Sequence, residues 1–191
     1  MPAMWPKFQA DYIKVLSEQK IKSEEDFANS LVDSYKDAVK TAATIFQAMP
    51  VAGTFKDKIM RDAFVEAFKM MKDGDTSIAP YTLMATGIVG FWAGVQFQTM
   101  PPFPPSVGPA PVPTPNIVVF PGVPLGLDSQ LQTAFNMGKK ALSATDAAMK
   151  IGPFLVLAFV THLATITGVY TGMVPAVPTP IPTPLPWAVL V

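Results

Sequence analysis

The chain has no cysteine, one histidine and, over two long stretches, no charge at all. The absence of cysteine excludes a disulfide framework and any thiolate metal site. It also removes the Cys/His pairing of thiol-dependent catalysis. Only 15% of the residues are charged, against about 25% in an average soluble chain. Lys plus Arg and Asp plus Glu balance at 14 each, so no global field draws the chain to nucleic acid or to an anionic surface. The opening residues MPAMWPKFQADY carry no apolar core segment of the kind a secretory signal needs, and synthesis in the cytoplasm is expected.

Charge is confined to two blocks. Residues 1–75 hold 23 of the 28 charged side chains and residues 128–150 hold the other five. Residues 76–127 and 151–191, runs of 52 and 41, hold none. Solubility rests on charges interspersed over the surface. These stretches are therefore expected to be covered by other subunits, by lipid or by each other. The charge map gives three regions: a charged helical region at 1–75, an uncharged apolar helix with a proline-rich arm at 76–127, and a second helical region with a proline-rich C-terminal arm at 128–191.

What is abundant is proline, 21 residues, within a composition that is half hydrophobic. The predicted class is mainly α: amphipathic helices, two apolar helices, extended proline-rich arms and a short edge strand. Phe8, Tyr12 and Val15/Leu16 mark one face of a first helix after Pro6. Ser23 with Asp26 three residues on reads as a capping-box start for a second, carrying Phe27, Leu31, Tyr35, Val39 and Ile45. A third opens at Thr54 and closes at Gly74.

Residues 81–97, introduced by Pro80, are long and apolar enough to favour a helix. Pro101 to Pro115 then exclude helix and favour extended polyproline. Ile117–Phe120, closed by Pro121-Gly122, suits an edge strand or an arm laid on a neighbour. A second charged helix starts at Asp128, with Leu131, Phe135 and Leu142 on its buried side, and Thr145 with Asp146 as a further start. Pro153 introduces a second apolar helix, 154–170, followed by Pro175 to Pro186.

The two halves share this plan. Gly90-Phe-Trp92-Ala-Gly94 and Gly168-Val-Tyr170-Thr-Gly172 close the apolar stretches, and a Pro-X-Pro run follows each. The plan reads either as a degenerate internal duplication or as two independent apolar helices that each need a proline stop. The small-xxx-small spacing is one that lets helices approach closely.

Catalytic constellations are not in evidence in the chain's motifs. His162 has no carboxylate or second histidine within ten residues, so a buried, hydrogen-bonded histidine is the expected state. Asp73-Gly-Asp75 lacks the rest of a calcium loop, and no phosphate-binding glycine fingerprint occurs. The expectation is a non-enzymatic chain without cofactor or metal. Contact residues are sought instead among Gly90, Trp92, Gly94, Phe103, Val118, Phe120, Gly168, Tyr170, Gly172 and Trp187.

Gly90-Phe-Trp-Ala-Gly94, then Pro101-Pro102, then Asn116-Ile-Val-Val-Phe-Pro-Gly122 resembles a pattern in small structural proteins of tailed bacteriophages. The likeness spans residues 78–124, about a quarter of the chain, and carries no functional residue across. It implies a virion subunit of the tail or baseplate, with copies of itself and other structural proteins as partners and no nucleic acid. The alternative is a two-span membrane protein of the pore or lysis type, with 78–100 and 151–174 as spans, since a span needs about 20 apolar residues.

Overall fold

The computed structural model describes residues 4–17, 21–45, 48–99, 116–122, 124–170 and 182–184. The protein is mainly helical. The helices are α1 (Met4–Ser17), α2 (Glu24–Ile45), α3 (Asp57–Lys72), α4 (Ala79–Trp92), α5 (Leu127–Gly138) and α6 (Ala144–Leu163). Five short strands are interleaved with them: β1 (Ala48–Pro50), β2 (Gln96–Thr99), β3 (Asn116–Phe120), β4 (Thr167–Tyr170) and β5 (Pro182–Pro184).

Helix starts follow local chemistry. The Ser23 hydroxyl accepts from the Asp26 N–H, and the Asp26 carboxylate accepts from the Lys22 N–H, at 3.1 Å each. Two amide donors that a helix start would leave orphaned are thereby satisfied. The same arrangement opens α6, but through Ser143 rather than Thr145: Ser143 accepts from Asp146 N–H at 3.1 Å and Asp146 accepts from Leu142 N–H at 2.9 Å. Leu142 is 96% exposed in the turn before α6, not on a buried face. It stands at the mouth of the cap, where its backbone is used and its side chain is not.

The helices pack in chain order, and α6 returns to pack on α1, closing a ring of six. The α2–α3 seam is antiparallel. Glu24 pairs with Lys72 at 2.5 Å, Glu25 with Lys69 at 3.8 Å, Asp33 with Arg61, and Lys36 with Asp57 at 2.6 Å. One partner rises in number as the other falls. The α3–α4 seam runs the same way. Gly87 lies against Ala63 and Met60, and Gly90 against Ile59. The absence of a side chain lets the two backbones approach, so a Cβ built on Gly87 would stand 2.6 Å from that of Ala63.

One apolar core fills the ring and draws on all three sequence regions, from Phe8 and Leu31 through Met84 to Leu155. At its centre the Trp92 indole N–H donates to the Tyr35 hydroxyl at 2.8 Å, with both residues fully buried. Phe55, Phe91 and Phe97 surround the pair with ring centroids 5.0–6.4 Å apart. Each such contact contributes about 0.5–1.5 kcal/mol beyond area burial.

The two apolar stretches end earlier than expected. α4 stops at Trp92, and Gly94, at φ 73°, turns the chain into β2. That φ is open to glycine and costly for other residues. α6 stops at Leu163, and β-branched Thr167 and Val169 continue as β4. Pro153 does not introduce the second helix but lies inside it. It removes the donor to the Met149 carbonyl. Pro153 itself is exposed.

Strand order in the sheet is β1-β2-β3-β4-β5, every pair antiparallel. The expected edge strand, Ile117–Phe120, is therefore the central one. Its neighbouring proline, Pro121, lies just past its end, so every residue from Asn116 to Phe120 can donate to a ladder. The prolines that fall within strands, Pro50, Pro182 and Pro184, sit in β1 and β5 at the two edges, where a missing N–H is tolerated.

Candidate interaction surface

Strands β1, β2 and β4 follow the C-termini of α2, α4 and α6. Since α2 and α4 both run antiparallel to α3, the sheet gathers at one pole of the ring. Within it, Phe97 and Val119 are buried against the helices, at 0% and 2% exposure, whereas Phe120 is 56% exposed. Side chains alternate between faces along a strand, and directly paired residues share a face. The outward side therefore carries Phe120 of β3, which follows buried Val119, and Gln96 of β2, which precedes buried Phe97. No residue of any strand is charged.

The opposite pole is different in kind. The turns there are flanked by Glu24, Glu25 and Asp26, by Lys69, Lys72, Asp73 and Asp75, and by Lys139 and Lys140. Charged turns thus stand at one end and an uncharged sheet at the other, with Lys36, Lys40 and Asp57 beside the β1 edge of that sheet.

The expected contact residues fall into distinct places. Phe120 is the exposed aromatic of the outward side, and Val118 pairs with Val169 in the sheet. Gly168 pairs with Val119 and Tyr170 with Ile117, which are register positions on the helix-facing side. Gly90 serves a helix contact inside the chain, and Gly94 a turn. Trp92, expected at a subunit contact, is instead the centre of this chain's own core, because its N–H finds the buried Tyr35 hydroxyl. The second small-xxx-small pair is not helical, since Gly168 is on β4. Phe103, Gly172 and Trp187 lie outside the described residues, as do the proline runs apart from Pro182 and Pro184.

The sheet is tied to the ring by His162. Its Nε2 lies 2.9 Å from the Pro121 carbonyl, just past β3, and its Nδ1 is buried without a partner. Burial pushes the imidazole down to about 4, so the neutral ring donates from Nε2. Gly122, at φ 81°, completes the seat: a Cβ there would meet the Thr165 hydroxyl, with His162 Nε2 at 3.2 Å. This latch was not foreseen. A lone histidine in an apolar run points to burial, but not to the loop that receives it.

Among the described residues no group of three His, Cys, Asp or Glu side chains converges as a metal site. A shallow cleft of about 470 Å³ is lined by Phe27, Phe68, Met71 and Phe135 beside Lys22, Ser23 and Glu24, with the Ser23 hydroxyl engaged in capping α2 and Glu24 paired with Lys72. Of the two stretches weighed as membrane spans, α4 is a helix of 14 residues, whereas α6, with 20 residues and mean hydropathy 1.4, is the one helix among the described residues long and apolar enough to span. Set against protein families, curated proteins and solved structures, the chain matches none.

Proposed function

We propose that the protein is a structural subunit of a large assembly, a tail or baseplate component of a bacteriophage virion, and that it docks through its uncharged sheet pole. The observation that carries this reading is the contrast between the poles. Charge keeps a surface hydrated, and its removal from one whole face leaves that face suited to burial against protein. The strand ends Thr99, Asn116, Tyr170 and Pro182 all lie at the same end of the sheet by register. The sequence between these ends, 100–115 and 171–181, is uncharged and rich in proline. Polyproline is extended before it binds, so it loses little entropy on docking. In this reading the partners are further copies and other structural proteins.

Fractionation of the native source between sedimenting particles and membranes tests the proposal. Co-sedimentation with detergent-resistant particles at fixed stoichiometry is the expected result. Release from the pellet by detergent alone would refute it and favour a membrane location. The feature behind that second reading is α6, whose most apolar 18-residue window is only 33% buried.

A further inference from the structure

We infer that the charged pole is a second contact surface, through which two copies of the chain pair reciprocally, Leu142 of each entering the aromatic cleft of the other. Leu142 is 96% exposed, the most open of the large apolar side chains among the described residues. It stands in the turn between α5 and α6. Its own N–H donates to the Asp146 carboxylate at 2.9 Å, and the Ser143 hydroxyl beside it caps α6, so the turn is held in place. A knob fixed in advance loses little entropy on docking. The cleft, of about 470 Å³, has room for a leucine side chain. Within it Phe27 and Phe68 stack at 4.6 Å, Phe135 meets Phe68 edge-on at 5.8 Å, and Met71 joins them. Phe27, Met71 and Phe135 are only half-buried, so an apolar lining stands open to a partner.

Charge selects a second copy as the occupant. The turn that carries the knob, residues 138–143, holds Lys139 and Lys140 and no carboxylate. Both lysines are exposed, and neither is in an ion pair among the described residues. The rim of the cleft has the opposite sign: residues 22–26 and 69–75 carry five carboxylates against three lysines. Lys72 and Lys69 are taken up by Glu24 and Glu25, and Asp73 is exposed just beyond the end of α3. Knob and cleft thus match in polarity and in charge, yet the exposure of Leu142 shows that it does not fill the cleft of its own chain. Phe135 lines the cleft and precedes Leu142 by seven residues, with Met137, 42% exposed, between them in the sequence. A surface that holds both halves of a contact side by side can meet its own copy about a two-fold axis and make that contact twice. Opposite charges across the contact fix its register and speed encounter. Pairing at this pole leaves the sheet pole free, so the inference does not rest on the assembly reading.

Sedimentation velocity over a range of concentrations tests this on the full chain carrying Phe120→Asp, which disables self-contact through the sheet pole. A monomer–dimer equilibrium is expected. Leu142→Asp should weaken it by about tenfold or more. The melting temperature should stay unchanged, because a side chain this exposed touches little of its own chain. Reversing the turn's charge with Lys139→Glu and Lys140→Glu should also weaken the dimer and remove most of its sensitivity to salt. The absence of cysteine allows the contact to be mapped. A mixture of Leu142→Cys and Met71→Cys proteins should form a disulfide-linked pair under mild oxidation faster than either protein alone. A chain that stays monomeric at every concentration, or a dimer indifferent to Leu142→Asp, would overturn the inference. So would preferential linking of Leu142→Cys to itself, which would set knob against knob.

Discussion

Acid should weaken this protein through His162 before it touches any carboxylate. The imidazole sits in the core at 2% exposure, held by one hydrogen bond to the Pro121 carbonyl, and burial lowers it from 6.5 to about 4. Its folded value lies below its unfolded one. As pH falls the unfolded chain therefore takes up the proton first, and stability drops from about pH 6.5 down to about pH 4, where it levels. Each unit of separation corresponds to about 1.4 kcal/mol. Between pH 7 and pH 5 the expected loss is about 2 kcal/mol, and the full loss by pH 4 is about 3 kcal/mol. Asp57 and Asp146 are held below the usual carboxylate range by hydrogen bonds from Lys36 and Lys150, so their own loss falls at lower pH. Urea unfolding at pH 7, 6 and 5 reads the effect directly. His162→Gln, whose amide can still donate to Pro121, should be less stable at pH 7 but nearly flat across that window. If wild type and variant lose stability in parallel between pH 7 and pH 5, the titrating group is elsewhere and the latch argument fails.

Three further outcomes are expected. Gly87→Ala should lower stability by about 1–3 kcal/mol despite alanine's better helix propensity, because its Cβ meets that of Ala63 at 2.6 Å; thermal melting would show the drop, and adding Ala63→Gly should recover part of it. Trp92→Phe should cost at least about 1–3 kcal/mol by stranding the buried Tyr35 hydroxyl, and the Trp92→Phe, Tyr35→Phe pair should cost less than the sum of the single changes in a denaturant cycle. Phe120→Asp, at a position 56% exposed, should leave the melting temperature within a few degrees of wild type yet remove the protein from sedimenting particles; normal incorporation would take the sheet pole out of the contact.

Helices were legible wherever periodicity and caps coincided. Phe8 with Tyr12, Leu31 with Tyr35, and Phe64 with Phe68 are all buried as their spacing requires. The capping pair Ser23 and Asp26 was readable because its signal is complete within four residues. The sheet was not legible. Its strands are three to five residues long, too short for a period-two pattern to stand out beside a long apolar run. Their pairing is non-local: Phe97 to Ile117 bridges a 19-residue gap, and Val119 to Gly168 a much longer one. Residues 95–97 and 167–170 were absorbed into helices because apolar length was the stronger local signal, whereas Gly94 and the β-branched Thr165 and Thr167 mark the true ends. The contact role given to Trp92 failed for a related reason. A large aromatic between glycines suits an interface and a core equally, and only the distant Tyr35 decides between them.

The division of charge and the topology explain each other. The antiparallel α2–α3 and α3–α4 seams send the C-termini of α2 and α4 to one pole, and the strands that follow must gather there. β4, which follows α6, joins them by pairing with β3. The turns between α3 and α4 and between α5 and α6 carry acidic and basic residues, with Asp73, Lys139 and Lys140 exposed. Charge-free 76–127 and 151–191 supply α4, most of α6 and four of the five strands. Their described parts lie in the ring or at its sheet pole. An uncharged sequence block in a helical protein is usually read as a core or a membrane span. Here part of it is core, as Met84, Phe91, Leu155 and Phe159 show. The described strands cap the core with a sheet that carries no charge of its own. A single charge at Phe120 therefore tests that face without disturbing the helices beneath it, since its neighbour Val119 alone points into the core.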